Sequence, residues 1–400
     1  MSFDSRPGFP NKAGPPPPQV PNTAGAPAIP RASRDDLAAW QYSTVNSNGA
    51  ADVAWFSDVV PISHKPEELE VYTMDFKRDA QAGTIQFDRW KSNKGEPWNS
   101  SWGHGRLSGI PAAEISGMTA VSRQPGHIEV FWAAPSSSGG AIQHAWWYEG
   151  DKWREGPLGG PVGSNSSGAW TNMTSVSRKR EAMNVFWVGR QGSIQSASWL
   201  DGIGWTFAEV MPIGTVTRSG ADIKAISRSP NHVEIFWVAE DHGKLSAPGA
   251  CAFTSSIAGV AGILQSRPNS MAVFWISPQG AVWHASFADT QNWKLTALTG
   301  EGVAAPGRGD FVCGGITAVA KDRDVTDVYF TDPDGGIKSL TYWGIGTSWS
   351  PAEVAPRGTV LPGSCLSAIS RRPTNVEIWF TTGPAGGTLA SLWRDYTKTQ

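Results

Sequence analysis

A repeated pattern of about 51 residues runs through most of this 400-residue chain and limits the folds open to it. Each copy has a short strand ending in Ser-Arg or a variant of it, a turn that contains Pro in most copies, and a second strand with apolar, acidic and aromatic positions. The clearest copies are AVSRQPGHIEVFW from Ala120, SVSRKREAMNVFW from Ser175, AISRSPNHVEIFW from Ala225 and AISRRPTNVEIWF from Ala368. Weaker copies start at Val60, Ile263 and Ala318. A repeat of this length is typical of propeller blades.

Each copy continues in the same way after its second strand. The first aromatic of the closing pair marks the copies, at Tyr72, Phe131, Phe186, Phe236, Phe274, Tyr329 and Trp379. A glycine follows, and a further aromatic lies seven residues beyond it, at Trp90, Trp147, Trp199, Phe287 and Tyr342. A fourth segment carries another tryptophan, at Trp98, Trp153, Trp205, Trp293 and Trp349. Four strands with period-2 alternation form a blade.

The sequence therefore predicts an all-β fold, a seven-bladed β-propeller of four-stranded antiparallel blades. The fourth unit reads KLSAPGACAFT after Gly243, with no aromatic in the expected place, and Pro248 predicts a shortened or distorted blade. The seventh unit ends at Gln400 after three strand signals. We expect its fourth strand to come from the N-terminal side, around Trp40 or Trp55, and to close the ring.

The domain organisation follows from the same pattern. Residues 1–34 contain nine prolines and predict an extended tail or a docking segment, whereas residues 35–400 predict one propeller domain. The predicted repeats lie near 59–107, 115–160, 171–214, 221–256, 257–300, 314–358 and 365–400.

Composition excludes several classes of function. The 33 Lys and Arg residues and 35 Asp and Glu residues give a net charge of −2, whereas a non-specific nucleic-acid binder needs an excess of cations. No apolar run reaches 18 residues, so we expect no membrane span. Three cysteines are too few for a disulfide framework, and we expect them to be free. No signal peptide is visible, so the compartment is unknown: we expect the protein to be either cytoplasmic or secreted by a non-classical route.

The repeats carry a paired basic and acidic position, eight and two residues before the marker aromatic. The pairs are His64/Glu70, Arg123/Glu129, Arg228/Glu234, Lys321/Asp327 and Arg371/Glu377. Arg178 stands opposite Asn184, and the fifth unit loses both partners together, leaving Ser266 and Ala272. Because the two positions flank a hairpin turn, we expect their side chains to meet. They form either a structural ion pair or a donor and acceptor fork for sugar hydroxyls.

Aromatic residues supply the other half of a sugar site, since a flat ring packs against the apolar face of a pyranose. Trp132, Trp187, Trp237 and Trp275 alternate onto one face of the second strand, and we predict that they form the core between blades. The predicted ligand-binding residues are Arg123, Glu129, His144, Trp147, Trp153, Arg178, Trp199, Trp205, Arg228, Glu234, His284, Trp293, Trp349, Arg371 and Glu377. Packing between blades is the alternative role for each of these residues.

Two stretches resemble a known family, GGAIQHAWWYEGDKWREGPLGG at 139–160 and GAVWHASFADTQNWKLTALTG at 280–300. They are similar to the repeats of the Photorhabdus-type seven-bladed propeller lectins, and the resemblance covers about residues 55–400. It implies binding of fucose or related sugars in pockets between adjacent blades. Fungal fucose-specific lectins have a comparable six-bladed propeller, but their repeat signature matches less well.

Two other functions remain open at this level. Divergence among the repeats fits a propeller enzyme with one central-funnel site, such as a hetero-Diels–Alderase-like cyclase of natural-product biosynthesis. The proline-rich segment fits a protein-interaction scaffold. The sequence contains no nucleophile elbow, no metal-ligand spacing and no phosphate-binding loop, so we predict no catalytic residue, metal or cofactor. The predicted partner is a glycan or another small hydroxylated ligand, with homo-oligomers as a further expectation.

Overall fold

A computed structural model describes residues 40–45, 58–75, 82–91, 102–113, 117–135, 140–158, 172–216, 222–238, 244–246, 253–254, 260–264, 270–288, 291–306, 314–322, 325–344, 347–373, 375–382 and 387–395. The predicted tail at 1–34, Trp55, Trp98, Pro248 and Ser266 lie outside these residues. Among the described residues, no helix has the length and apolar character of a membrane span.

The described strands form four-stranded antiparallel sheets, numbered here in chain order. The first strand of the chain, β1 (Gln41–Thr44), belongs to sheet 7. Sheet 1 contains β2 (Val60–Lys65), β3 (Glu68–Asp75), β4 (Ala82–Lys91) and β5 (Trp102–Arg106), with the short β6 (Ala112–Ala113) paired to β4. Sheet 2 contains β7 (Met118–Val121), β8 (His127–Ala133), β9 (Ile142–Tyr148) and β10 (Arg154–Pro157). Sheet 3 contains β11 (Met173–Lys179), β12 (Ala182–Val188), β13 (Ile194–Leu200) and β14 (Gly204–Met211).

The remaining sheets repeat this arrangement. Sheet 4 contains β15 (Ile223–Ser229), β16 (His232–Val238), β17 (Lys244–Ser246) and β18 (Phe253–Thr254). Sheet 5 contains β19 (Val260–Leu264), β20 (Ser270–Ile276), β21 (Val282–Ala288) and β22 (Gln291–Ala297). Sheet 6 contains β23 (Ile316–Asp322), β24 (Val325–Thr331), β25 (Ile337–Tyr342) and β26 (Ser350–Ala355). Sheet 7 contains β27 (Leu366–Ile369), β28 (Asn375–Thr381) and β29 (Leu389–Asp395), and β1 pairs with β29. A single 3₁₀ turn, Arg190–Gly192, is the only helical element among the described residues.

The sheets stand side by side around their first strands. Each first strand contacts the first strand of the next sheet, and β27 contacts β2. Apolar clusters fill the spaces between successive sheets, and each cluster contains side chains from at least two of them. This radial packing is that of a β-propeller, so the predicted all-β propeller with four-stranded antiparallel blades is confirmed.

The second strands are buried on both faces, which explains their nearly continuous apolar sequence. In β8, Phe131 faces sheet 3 and Trp132 faces sheet 1. The tryptophans predicted to form the core, Trp132, Trp187, Trp237 and Trp275, are all at most 4 % exposed. Sheet 4 is shortened as predicted, because β17 and β18 have three and two residues.

One expectation about the cysteines is wrong. Cys365, which is buried at the start of sheet 7, is disulfide-bonded. The cysteines are therefore not all free, so the cysteine content gives no support to a cytoplasmic location.

The repeat glycine before the third strand has a structural reason in sheets 3, 5 and 6. Gly280 has φ +76°. The loop that follows β22 passes close to this residue, and the Ala304 amide donates to the Gly280 carbonyl at 2.8 Å. A Cβ on Gly280 would lie 2.5 Å from the Ala304 carbonyl oxygen. Gly192 and Gly335 have the same φ and a similar close approach.

Gly280→Ala is expected to lower the free energy of unfolding by roughly 1–3 kcal/mol, because it combines a left-handed backbone with a backbone clash. Gly300→Ala is the matched control, since open space surrounds that position. Chemical denaturation measures both variants. Equal stability of the two would contradict this explanation of the repeat glycine.

Candidate functional site

The contact between neighbouring sheets is built around edge-to-face aromatic pairs. The marker aromatic of one sheet meets the outer-strand tryptophan of the next in Tyr72–Trp153, Phe131–Trp205, Phe236–Trp293, Phe274–Trp349, Tyr329–Trp40 and Trp379–Trp102, with ring centroids 5.5–6.3 Å apart. Sequence reasoning assigned Trp98 to this position in sheet 1, but Trp102 occupies it, opposite Trp90 in the β4–β5 register. Trp153, Trp205, Trp293 and Trp349 therefore each pack against the preceding sheet.

A second repeated contact lies beside the first. The aromatic seven residues after the repeat glycine faces a cation from the preceding sheet, with the guanidinium carbon over the ring. The pairs are Arg89/Trp147 at 5.3 Å, Arg123/Trp199 at 3.8 Å, Arg228/Phe287 at 4.7 Å and Arg371/Trp90 at 4.4 Å from the ring centroid. We refer to each site by its two sheets, as grooves 1/2, 2/3, 4/5 and 7/1. Each of the four grooves thus places a cation against an aromatic ring.

Three of the predicted charge pairs meet as expected across their hairpins. Arg228 forms an ion pair with Glu234, and Lys321 lies 2.7 Å from Asp327. Arg371 Nε donates to Glu377 at 2.8 Å. Burial raises the pKa of Glu377, and the neighbouring guanidinium acts against that rise. The predicted contact of basic and acidic positions is therefore confirmed in sheets 4, 6 and 7.

Sheet 1 departs from the prediction. His64 lies 3.3 Å from Glu68, whereas Glu70 receives a hydrogen bond from Arg89 Nε at 2.6 Å. Arg89 is on the third strand, directly opposite Glu70 in the β3–β4 register. Sequence reasoning missed Arg89 because it searched for the cation only before the hairpin. Counting the register across the second hairpin would have found it.

Sheet 2 departs in another way, because its two charged residues have separate partners. Arg123 donates to the Arg180 carbonyl and the Tyr148 hydroxyl, both at 2.7 Å. Glu129 instead accepts from Nδ1 of His144 at 2.6 Å. Burial raises the pKa of Glu129, and the His144 contact opposes this rise. Arg123 and Glu129 both border groove 2/3, but not as the simple hydrogen-bonded pair that the repeat predicts.

The two repeat histidines lie within the packing between sheets. His144 stacks on Phe131 and meets Trp205 edge-on. His284 stacks on Phe274 with centroids 4.8 Å apart and meets Trp349 edge-on. Burial lowers the pKa of His284 to about 4, so this imidazole is neutral at physiological pH. The packing gives both side chains a structural role, and their contact with a ligand stays a prediction.

In the other three spaces between sheets, the described residues differ from this arrangement. The partly buried Arg178 is followed by Asn184, whose amide donates to Ser198, and the side chains of β17 and β18 are not among those described. Between sheets 5 and 6, Ala272 stands at the acidic position of the repeat, in an apolar cluster against which Trp349 packs. Between sheets 6 and 7, Asp327 is fully buried and accepts hydrogen bonds from Tyr329 and Thr341.

The exposed fractions of the charged side chains show which charge pairs a ligand could reach. In groove 4/5 both partners are accessible, with 15 % of the Arg228 side chain and 18 % of the Glu234 side chain exposed. In groove 1/2 Arg89 is 33 % exposed, but Glu70 is fully buried. In groove 7/1 Arg371 and Glu377 are 4 % and 6 % exposed. Groove 4/5 therefore offers a solute both a donor and an acceptor.

Metal binding has no support in the part of the chain that the structure describes, where no group of three His, Cys, Asp or Glu side chains could hold an ion. The side chains in the four grooves can form hydrogen bonds with hydroxyl groups. A guanidinium donates, a carboxylate accepts, and the adjacent rings offer apolar surface.

Comparison with known proteins gives a match at the level of structure. No family model matches the chain, and no curated protein matches it. The BP39L lectin from Burkholderia pseudomallei superimposes with a TM-score of 0.68 and 18 % identity, covering 86 % of this chain and 97 % of that one. AofleA from Arthrobotrys oligospora gives 0.52 and 13 %, covering 80 % and 90 %. SapL1 lectin, solved with alpha methyl fucoside, gives 0.50 and 14 %, covering 77 % and 100 %. At these identities the similarity establishes the fold.

Proposed function

We propose that this chain is a lectin that binds fucose or a related sugar in the grooves between its sheets. The observation that carries the proposal is groove 4/5, where an accessible Arg228–Glu234 pair faces Phe287 and Trp293 of the next sheet. The fold match to BP39L and to SapL1, which was solved with a fucoside, supports the same function.

The chemistry of a hydroxylated sugar fits this groove. Vicinal hydroxyls both donate and accept, so they can bridge a guanidinium and a carboxylate. The Arg228 guanidinium covers the face of Phe287, and Trp293 lies beside that ring with centroids 5.5 Å apart. We infer that the apolar face of the sugar rests on the accessible part of Trp293 while Arg228 and Glu234 bind its hydroxyls.

Grooves 1/2, 2/3 and 7/1 are proposed as further, weaker sites. Each has a cation against an aromatic ring, but burial of Glu70 and Glu377 and the His144 contact of Glu129 leave less acceptor capacity for a sugar. Among the remaining predicted ligand contacts, Trp147 and Trp199 would line grooves 1/2 and 2/3. Arg178, His284 and Trp349 lie where the arrangement is incomplete.

We further propose that the seven sheets of the described residues are seven blades of one closed ring of the Photorhabdus-type lectin kind. Support comes from the contact of β27 with β2 and from the pairing of β1 with β29. The Trp40–Tyr329 contact, at 5.9 Å and 89°, supports the same closure, because it places Trp40 as the outer-strand tryptophan of sheet 7.

Glu234→Gln is expected to weaken sugar binding at groove 4/5 about tenfold, because it removes a charged acceptor while keeping the shape of the side chain. Native mass spectrometry with methyl α-fucoside counts the bound sugars, and the variant should bind fewer per chain at the same concentration. Glu301→Gln, at an exposed position in the turn after β22, is the matched control. Unchanged binding in Glu234→Gln, with the melting temperature retained, would contradict the assignment of this groove.

A further inference from the structure

Groove 4/5 contains an ionisable side chain that the sugar site itself does not require. His232 lies two residues before Glu234 on β16, so both side chains point to the same face, toward sheet 5. The imidazole is 43 % exposed and can therefore exchange protons with solvent. Unlike His144 and His284, it lies at the accessible end of the groove.

One nitrogen of this ring contacts both members of the charge pair. His232 Nε2 lies 3.3 Å from Arg228 Nη2 and 3.4 Å from Glu234 Oε1. A neutral ring with a free lone pair at Nε2 accepts a hydrogen bond from Arg228. A protonated ring has only donors, so it repels the guanidinium and donates to the Glu234 carboxylate instead. Protonation therefore exchanges the partner of His232 within the groove.

We propose that His232 is a proton-operated switch of groove 4/5, which weakens sugar binding when the imidazole is charged. This inference rests on the proposed function. The imidazolium occupies the Glu234 oxygen that a sugar hydroxyl needs and pushes Arg228 from its place over Phe287. Histidine is the side-chain type that proteins use for proton-operated switches.

The charged groups around His232 support this assignment. Arg228 and Glu234 face it from its own sheet, and the uncharged rings of Phe287 and Trp293 belong to the sheet packed against it. Lys294, next to Trp293, pairs in register with Ser286, whose own partner is Ala272. Lys294 therefore points to the other face of sheet 5, toward sheet 6, and away from His232.

Two other repeats provide comparisons within the same chain. His127 occupies the same repeat position beside Glu129, but its side chain is fully buried and burial lowers its pKa to about 4. Asn375 occupies the position beside Glu377 and does not titrate. We therefore expect the switch in groove 4/5 and not in grooves 2/3 and 7/1.

The test is a titration of the full chain with methyl α-fucoside at pH 8 and at pH 5, in which native mass spectrometry and calorimetry measure the binding. In the wild type, one class of sites should weaken about tenfold at pH 5, the effect of one charge-assisted hydrogen bond. His232→Asn, which copies the residue of groove 7/1, should abolish this weakening. His104→Asn removes another partly exposed histidine, on β5, and should retain it.

The outcomes separate the two proposals. Sugar binding that is equally strong at both pH values in the wild type overturns the switch and leaves the lectin function standing. Weakening that persists in His232→Asn also overturns the switch. Absence of binding at either pH, in a protein that melts cooperatively, overturns the proposed function and the switch with it.

Discussion

Replacing Arg371 by alanine is expected to lower the free energy of unfolding by about 3–5 kcal/mol at pH 7. The reason is the buried carboxylate that the change leaves behind. Glu377 is 6 % exposed, and Arg371 binds it while stacking on Trp90 and donating to the Pro66 carbonyl of sheet 1. Removal of the guanidinium thus costs the charge pair, the ring contact and a bond between sheets 7 and 1.

The pH dependence identifies the cause of this loss. Burial already raises the pKa of Glu377, and loss of Arg371 raises it further. A buried carboxylate with a raised pKa destabilises the fold above that pKa and does so no longer once it is protonated. The deficit of Arg371→Ala should therefore shrink as the pH falls from 7 toward the ordinary range of a glutamate.

The neighbouring arginine provides the control. Arg372 is 54 % exposed and lies 3.9 Å from the similarly exposed Glu67, so Arg372→Ala should cost less than about 1 kcal/mol. Urea denaturation at pH 7 and pH 4.5 measures both variants. A deficit for Arg371→Ala that does not change with pH would mean that the stacking on Trp90, and not the unpaired carboxylate, causes the loss.

The repeat predicted those features that depend on one hairpin alone. Arg228 with Glu234 and Arg371 with Glu377 flank a single turn, so their spacing in the sequence predicted the contact that each pair makes. The alternation of Phe131 and Trp132 likewise predicts that they lie on opposite faces of one buried strand. Local geometry was sufficient for these residues.

Features that depend on a third strand or on a neighbouring sheet could not be read from the repeat. The packing of Trp205 against Phe131 depends on the angle between sheets 2 and 3, which no residue spacing encodes. Arg123 and Glu129 have the predicted spacing, yet Tyr148 and His144 compete for them and keep them apart. Arg89 was missed for the opposite reason, since it supplies the cation from a different strand.

The pairing of β1 with β29 leads to the other large expected effect. Four residue pairs join the strands, and next to them the buried Val45 bonds through its amide to the Leu389 carbonyl at 3.0 Å. Deletion of residues 1–45 removes this strand and Trp40. It would also expose the hydrogen-bonding edge of β29 and uncover Tyr329.

We expect the deletion of residues 1–45 to lower the free energy of unfolding by about 5 kcal/mol or more. The loss combines the pairing of the outer strand with the apolar contacts of Trp40 and Val45. The truncated chain should also form oligomers through the exposed edge, which size-exclusion chromatography would detect.

Deletion of residues 1–34 is the control and should leave the melting temperature unchanged within error. Within the full chain, Trp40→Ala should destabilise the fold, whereas Gln41→Ala, at an exposed position, should not. If both deletions melted alike, the fold would not depend on its N-terminal strand, because sheet 7 would then be stable with three strands.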